Sequence, residues 1–458
     1  MMERTFSIID FGACSTTDEL QTRYIQAAID ECFLQGGGEV QIPEGTFLTG
    51  GIRLRSNVCL HLMENAHLKG IRDPEAYGVL EDDVIEPIPN NDRTVKLYHT
   101  PTADENFQTY EWFNRAGSRW NHGLIRAAYA KNVSVIGECG SALDGSDCYD
   151  ALGEEFYRGP HLMNFFYCEN ITLRGYTCVD SANWAHAFFY SKNLIIEKVK
   201  IYAGHDGVHA TSCDNITIRQ CAFYTGDDCV AGFDNQNVIV QDCLMNTACS
   251  AMRLGATNAL IEKCRFWGPG EYVFRGSLSL EEKRGGGKPQ KIPSHRYNML
   301  SVFTYYADFS TAIREQPGNI IIRHCNIENV DRLLHYNYSG NEIWQKNRPL
   351  QSVMFEDVYA MGISMPLTAY GDEKVPLYLT MRNVDIQFAP EDENMDFIHT
   401  CYYSVINLEN VRIQGLSNGA LVRSWGGHGR LIYKNLICDI PKENYFLTSD
   451  KPFVCQAI

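Results

Sequence analysis

Asn170-Ile-Thr-Leu-Arg-Gly, Asn193-Leu-Ile-Ile-Glu-Lys, Asn215-Ile-Thr-Ile-Arg-Gln and Asn237-Val-Ile-Val-Gln-Asp are four copies of one segment. Each is an asparagine followed by alternating apolar residues. Further copies start at Asn132, Asn258 and Asn319, and weaker ones lie near Ser352, Leu377, Ile406 and Ile432. From Asn170 to Asn258 the successive asparagines are 23, 22, 22 and 21 residues apart. A repeat of this length built on alternating β-branched residues predicts a stacked solenoid. No Asn-Gly hairpin turn separates the copies between Asn132 and Asn319, so pairing should link equivalent positions of successive coils in parallel. The expected fold is all-β: a right-handed parallel β-helix with coils of about 22 residues, its hand following from the crossover rule. The Leu-x-x-Leu-x-Leu pattern of a leucine-rich repeat is missing.

Working outward, Thr17–Gln35 reads as an N-terminal capping helix. Thr17 or Asp18 is its N-cap, Leu20, Ile25, Ala28, Ile29 and Phe33 form its apolar stripe, and Gly36-Gly-Gly stops it. Val40-Gln-Ile42 follows as a first strand. The chain then reads as a single β-helix domain over 1–458. Residues 1–77 hold the cap and first coils, 78–131 an irregular insertion, and 132–275 regular coils with the candidate site. A loop insertion fills 276–318 and C-terminal coils fill 319–458.

Of the 458 residues 45% are hydrophobic, enough for a large core, and the net charge of −16 argues against a nucleic-acid or anionic-membrane partner. Long acidic polymers are repelled too, unless a local basic patch receives them. No apolar run reaches the length of a membrane helix. The N-terminus lacks the pattern of a secretory leader, and the seventeen cysteines include no Cys-x-x-Cys pair. Together these predict reduced thiols and a cytoplasmic location.

Counting from each asparagine places distant residues side by side. Ile171, Leu194, Ile216, Val238 and Ala259 form one inward column, and Leu173, Ile196, Ile218, Val240 and Ile261 another. Cys221, Cys243, Cys264 and Cys325 stack as small buried hydrophobes. A further core column is expected at Val208, Val230, Met252 and Val273. Beside it the polar positions group as Asn183, Asp206, Asp228, Ser250 and Glu271, then as His186, His209, Ala231, Arg253, Phe274 and His335. Trp184 and Tyr272 share the position between them. Asp206, Asp227 and Asp228 should therefore meet on neighbouring coils, with His209 and Arg253 nearby.

Three carboxylates this close repel one another, so one is expected to hold its proton. A protonated acid beside ionised carboxylates is the equipment of glycoside hydrolysis. A solvated acidic turn and a calcium site are the other readings of the same cluster.

Gly204-His-Asp-Gly207 and Gly226-Asp-Asp-Cys-Val-Ala231 resemble the Asn-Thr-Asp-Gly and Gly-Asp-Asp-Cys-Ile-Ala motifs of glycoside hydrolase family 28, the polygalacturonase family. Phe11-Gly-Ala, Ala27-Ala-Ile-Asp, Gly36-Gly-Gly, Ile42-Pro-Glu-Gly-Thr-Phe and Ser56-Asn-Val resemble its opening. The likeness implies the same right-handed β-helix. It also implies an inverting mechanism in which Asp227 is the general acid and Asp206 and Asp228 hold the attacking water, with no metal or other cofactor. Two motifs differ. Ala248-Cys-Ser250 stands where the family has Gly-His-Gly, so His205 or His209 is the candidate to replace the missing imidazole. Tyr272-Val-Phe-Arg275 stands near the family's Arg-Ile-Lys, leaving Arg275 and Arg253 as candidates to grip a sugar carboxylate. Trp184 and Tyr272 are candidate sugar-stacking rings.

The expected function is hydrolysis of short, pectin-derived oligosaccharides, with exo action if loops close one end of the cleft. A polysaccharide lyase and a non-catalytic carbohydrate-binding β-helix are the alternatives. The expected partner is the oligosaccharide alone, with no nucleic acid and no membrane.

Overall fold

The computed structural model describes residues 4–78, 119–149, 158–275, 278, 298–307, 314–340, 343–345, 348–389, 394–427, 429–448 and 454–457. It divides into two compact units, Met1–Asp227 with Tyr272–Pro293, and Asp228–Glu271 with Ser294–Ile458. The chain is a parallel β-helix with one N-terminal α-helix, and the strand pairings described within each unit are parallel.

In the first unit the coils contribute to three stacked strips. One runs Gly123–Ala128, His161–Phe166, His186–Phe189 and Val208–Thr211. A second runs Lys131–Gly137, Glu169–Arg174, Lys192–Glu197 and Asp214–Arg219. The third runs Ala142–Asp144, Thr177–Val179, Lys200–Ala203 and Ala222–Thr225. Gly123–Ala128 lies inside 78–131, where the sequence suggested only an irregular insertion; residues 79–118 fall outside the described residues.

The asparagines work at a corner of the coil. Asn132, Asn170, Asn193 and Asn215 all have φ between 56° and 60°, a left-handed conformation that asparagine tolerates better than most residues. Each donates its side-chain amide to the asparagine one coil back: Asn132 to Asn57, Asn170 to Asn132, Asn193 to Asn170 and Asn215 to Asn193, at 2.8–3.0 Å. The second unit has its own rungs, Asn258 to Asn237 and Asn319 to Asn258. Another asparagine ladder there links Asp357, Asn383, Asn410 and Asn435. The inward columns are buried as expected, and Cys243, Cys264 and Cys325 are buried.

The helix is Thr22–Leu34, shorter than expected. Thr17 instead accepts the Glu19 N–H in a local turn, and Leu20 and Phe33 are exposed while Ile25, Ala28, Ile29 and Cys32 are buried. Gly36, Gly37 and Gly38 have φ of 93°, 106° and 151°. Thr5–Ser7 pairs with Gly38–Ile42, so the sheet begins before the helix.

In the second unit one strip runs from Ser250–Glu262 through Met299–Tyr305, Val330–Asn337, Leu367–Tyr370, Ile398–Cys401, Val422–Ser424 and Phe446–Thr448. Met299–Tyr305 is a strand within 276–318, most of whose remaining residues lie outside the described set.

Two columns need correction. His186 pairs with Val208, and it is Ala187 that stands beside His209. The coil from Asn170 to Asn193 is one residue longer than the next, which shifts the count by one. The imidazole of His186 points inward, with Tyr176 Oη 3.1 Å from Nε2 and Gly207 O 3.0 Å from Nδ1. Nor do Val273 and Phe274 continue their columns; Met252 pairs with Phe303 and Arg253 with Thr304. The stretch Val273–Arg275 instead crosses over Gly204 and Gly226. A Cβ on Gly226 would meet Val273 O at 2.1 Å and Phe274 Cα at 2.5 Å, so glycine is required there by close approach.

Candidate active site

In the first unit Asp206 lies two residues before strand Val208–Thr211 and is 5% exposed. His209 Nδ1 lies 2.8 Å from Asp206 Oδ2. The imidazole lies flat on Trp184, with centroids 3.6 Å apart and planes 3° apart. Trp184 in turn meets Trp120 edge-on at 5.6 Å. It is buried in an aromatic cluster with Phe166 and Phe189. One face of the Trp184 indole is therefore taken by His209, and the ring serves as a plate for the imidazole rather than an open sugar-stacking face.

Around this pair the imidazoles are kept neutral. Burial, then the neighbouring His209, brings His161 down to about 3. Burial followed by Arg158 and His161 holds His205 well below its ordinary value. Arg158 Nη1 sits 3.4 Å from His205 Nδ1. Asp227 is half-buried at the turn after Ala222–Thr225, and the Thr225 hydroxyl donates to its backbone carbonyl at 2.8 Å.

Arg275 and Tyr272 are engaged elsewhere. The Arg275 guanidinium is ion-paired with Asp147 and lies 5.0 Å over the Tyr149 ring. Burial, then Arg72, lowers it to about 10. The Tyr272 hydroxyl donates to Asp180. Burial and that carboxylate push the phenol far up. Both residues pin the crossing segment to the first unit.

In the second unit Asp228 is 3% exposed. Ser250 N–H donates to its Oδ1 at 3.0 Å, and Arg253 Nη1 lies 3.8 Å from its Oδ2. The Arg253 guanidinium covers the Tyr306 ring at 4.6 Å and approaches Trp344 at 5.9 Å. Cys249 is buried.

A family model for glycosyl hydrolases family 28 matches residues 87–250, the span that holds all three aspartates. Over that span the chain is similar to family 28. A probable polygalacturonase of Vitis vinifera is 27% identical over 229 residues, 47% of this chain and 41% of the relative. Mannuronan C5-epimerase AlgE2 of Azotobacter vinelandii is 26% identical over 141 residues, 31% of this chain and 11% of the relative. The chain thus spans less than half the length of these curated relatives. Among solved structures, the Yersinia enterocolitica family 28 exopolygalacturonase superposes with a TM-score of 0.56 at 14% identity, covering 99% of this chain and 78% of that one. The Thermotoga maritima exopolygalacturonase gives 0.52 at 16% identity, covering 100% and 92%. These structural likenesses show the parallel β-helix fold.

Some polar groups beside these residues gave no motif. In the first unit they are Arg158 and His161. In the second they are Arg332, beside His335, and the set Asp396, His399 and Arg423. The only signal was the column that already held Arg253 and His335; continuing it coil by coil would have reached His399 and Arg423.

Proposed function

We propose that this protein is an inverting glycoside hydrolase that cuts short, pectin-derived oligosaccharides, acting from a chain end inside the cytoplasm. Asp227 is the general acid, since it is the more accessible of the two carboxylates in the Gly-Asp-Asp turn and has solvent access to a leaving oxygen. Asp206 and Asp228 hold the water. Each is buried with a donor already in place, His209 for Asp206 and Ser250 N–H for Asp228, so each is fixed in direction, as a base must be. The observation that carries the reading is the match of the family model across the Gly204–Gly207 and Gly226–Ala231 motifs.

His209 takes the place of the absent family histidine as a positioning residue. Arg253 is the candidate carboxylate grip, because Arg275 is spent on Asp147. Incubation with a panel of pectic and neutral oligosaccharides, read by product mass, tests the reading. Hydrolysis adds one water per bond cut.

The epimerase relatives favour a second reading, in which a base removes the C5 proton of a uronate. Lyase chemistry of that kind gives an unsaturated, ultraviolet-absorbing product, and epimerisation leaves the mass unchanged.

A further inference from the structure

In the second unit the strand Val230–Gln241 slips register against Ser250–Glu262 between Gly232 and Asn235. A bulge of this kind re-aims a side chain, and here the residue inside it is Asp234, with φ 57°. Its buried carboxylate meets two guanidiniums. Arg348 Nη1 lies 3.0 Å from Oδ1, and Arg314 Nε donates to Oδ2 at 2.9 Å. Arg314 donates to the Asp234 carbonyl as well, and Arg348 is 1% exposed. Both arginines come from stretches between strands, Arg314 ahead of Gly318–Arg323 and Arg348 ahead of Ser352–Ile363. Burying three charges is costly, and apolar residues of like volume often hold a fold as well. What charged hydrogen bonds add is fixed direction.

The stretch that carries Arg348 also carries Trp344. The Tyr305 hydroxyl donates to the Arg348 carbonyl, and Ala307 N–H donates to the Trp344 carbonyl at 2.8 Å. Between those two bonds lies Tyr306, edge-on to the Trp344 ring with centroids 6.2 Å apart. Both rings meet one cation. The Arg253 guanidinium lies 4.6 Å over Tyr306 and 5.9 Å over Trp344, with Nη1 3.8 Å from Asp228 Oδ2. That last contact is too long for a hydrogen bond, whereas the negative faces of the rings attract the guanidinium and set its plane. The place of the Arg253 head thus depends on where the rings stand, and Trp344 stands on the stretch tied to Asp234.

We infer that Asp234 is a positioning residue for Arg253: through Arg348 it holds Trp344 and Tyr306 in place, and the two rings hold the guanidinium beside Asp228. The inference rests on the reading of Arg253 as the carboxylate grip and deepens it. Affinity for an acidic sugar then depends on a buried carboxylate at the far end of a chain of contacts.

The test is labelling of the native whole chain by phenylglyoxal, with the rate at each arginine read by peptide mass mapping. Expected is a rise of about fivefold or more at Arg253 in Asp234→Asn. A smaller rise is expected in Arg348→Gln, which leaves Arg314 on the carboxylate, and a smaller one still in Arg348→Lys. Asn258→Ala, which cuts a rung of the asparagine ladder in the same unit, should leave the Arg253 rate unchanged. Faster labelling of Arg314 and Arg348 in Asp234→Asn with Arg253 unchanged overturns the inference, since the three charges are then only a staple. An equal rise at Arg253 in Asn258→Ala overturns it too, as general loosening. If Asp234→Asn does not fold, an unchanged Arg253 rate in Arg348→Gln overturns it in the same way. Turnover is scored separately on an acidic oligosaccharide that the wild type cleaves, where Asp234→Asn should raise KM about fivefold with little change in kcat. Labelling as expected, with KM unchanged or with no glycan cleaved by the wild type, keeps the tether and removes the grip reading of Arg253. A raised KM with Arg253 labelling unchanged removes the tether and keeps the grip.

Discussion

His209 is clamped between Asp206 and Trp184, with its Nδ1 2.8 Å from the carboxylate and its ring 3.6 Å above the indole. The plate fixes the plane of the imidazole and the carboxylate fixes its rotation. His209→Gln can still donate to Asp206, and His209→Leu cannot. We expect the glutamine variant to keep most of the activity and the leucine variant to lose it with folding intact. Trp184→Ala empties a buried site and should destabilise by about 3–5 kcal/mol, read as a fall in melting temperature, while Trp184→Phe keeps an aromatic plate and costs less.

The asparagine corner makes a second prediction. Asn193 donates to Asn170 and accepts from Asn215, at φ 59°. Asn193→Ala removes both hydrogen bonds and puts in the left-handed region a residue that tolerates it less well than asparagine, for a loss of about 1–3 kcal/mol in a denaturant titration. Asn193→Gly loses only the amides and should fall between alanine and wild type.

Those corners explain how much of the fold the sequence discloses. The amide ladder requires one residue type at one spacing, so Asn132 to Asn319 stand out of the chain. The later rungs of that corner do not, because Ser352 takes the place after Asn319 and donates no amide. Of the site, the pairing of Asp206 with His209 and of Asp228 with Arg253 follows from coil counting. Counting fails where the chain leaves the coil. Tyr272 fits the period on paper, yet its segment crosses back over Gly204 and Gly226, where Tyr272 reaches Asp180 and Arg275 reaches Asp147.

Asp396 predicts an acid dependence. Burial alone would raise its carboxyl, but hydrogen bonds from His399, Arg423 and Ala420 N–H hold it well below the usual carboxylate range. Its folded pKa is thus depressed, so its stabilising contribution is present above the ordinary value of about 4 and is lost as pH falls towards the folded value. Wild type should melt higher than Asp396→Asn at neutral pH, with the gap closing below about pH 4. A gap that persists unchanged at acid pH would contradict this.

The thiols should divide by exposure. Cys14 is exposed, and its hydrogen bond with the Thr16 side chain lowers its pKa. Burial pushes Cys32 up to about 11 and Cys168 up to about 12. Since the thiolate is the reactive form, iodoacetamide on the native protein should label Cys14 ahead of Cys32 and Cys168 by peptide mass mapping, and all three after denaturation.

The most direct measurement is turnover by Asp227→Asn on an oligosaccharide that the wild type cleaves, with products read by mass and folding read by melting temperature. The change keeps the shape of the side chain and removes its proton. The account predicts a loss on the order of 10²–10⁴ in rate, with the melting temperature kept, since Asp227 is half-buried at a turn and outside the apolar columns. Full turnover by Asp227→Asn, or a rate that falls only in proportion to lost folded protein, would contradict the assignment of the general acid.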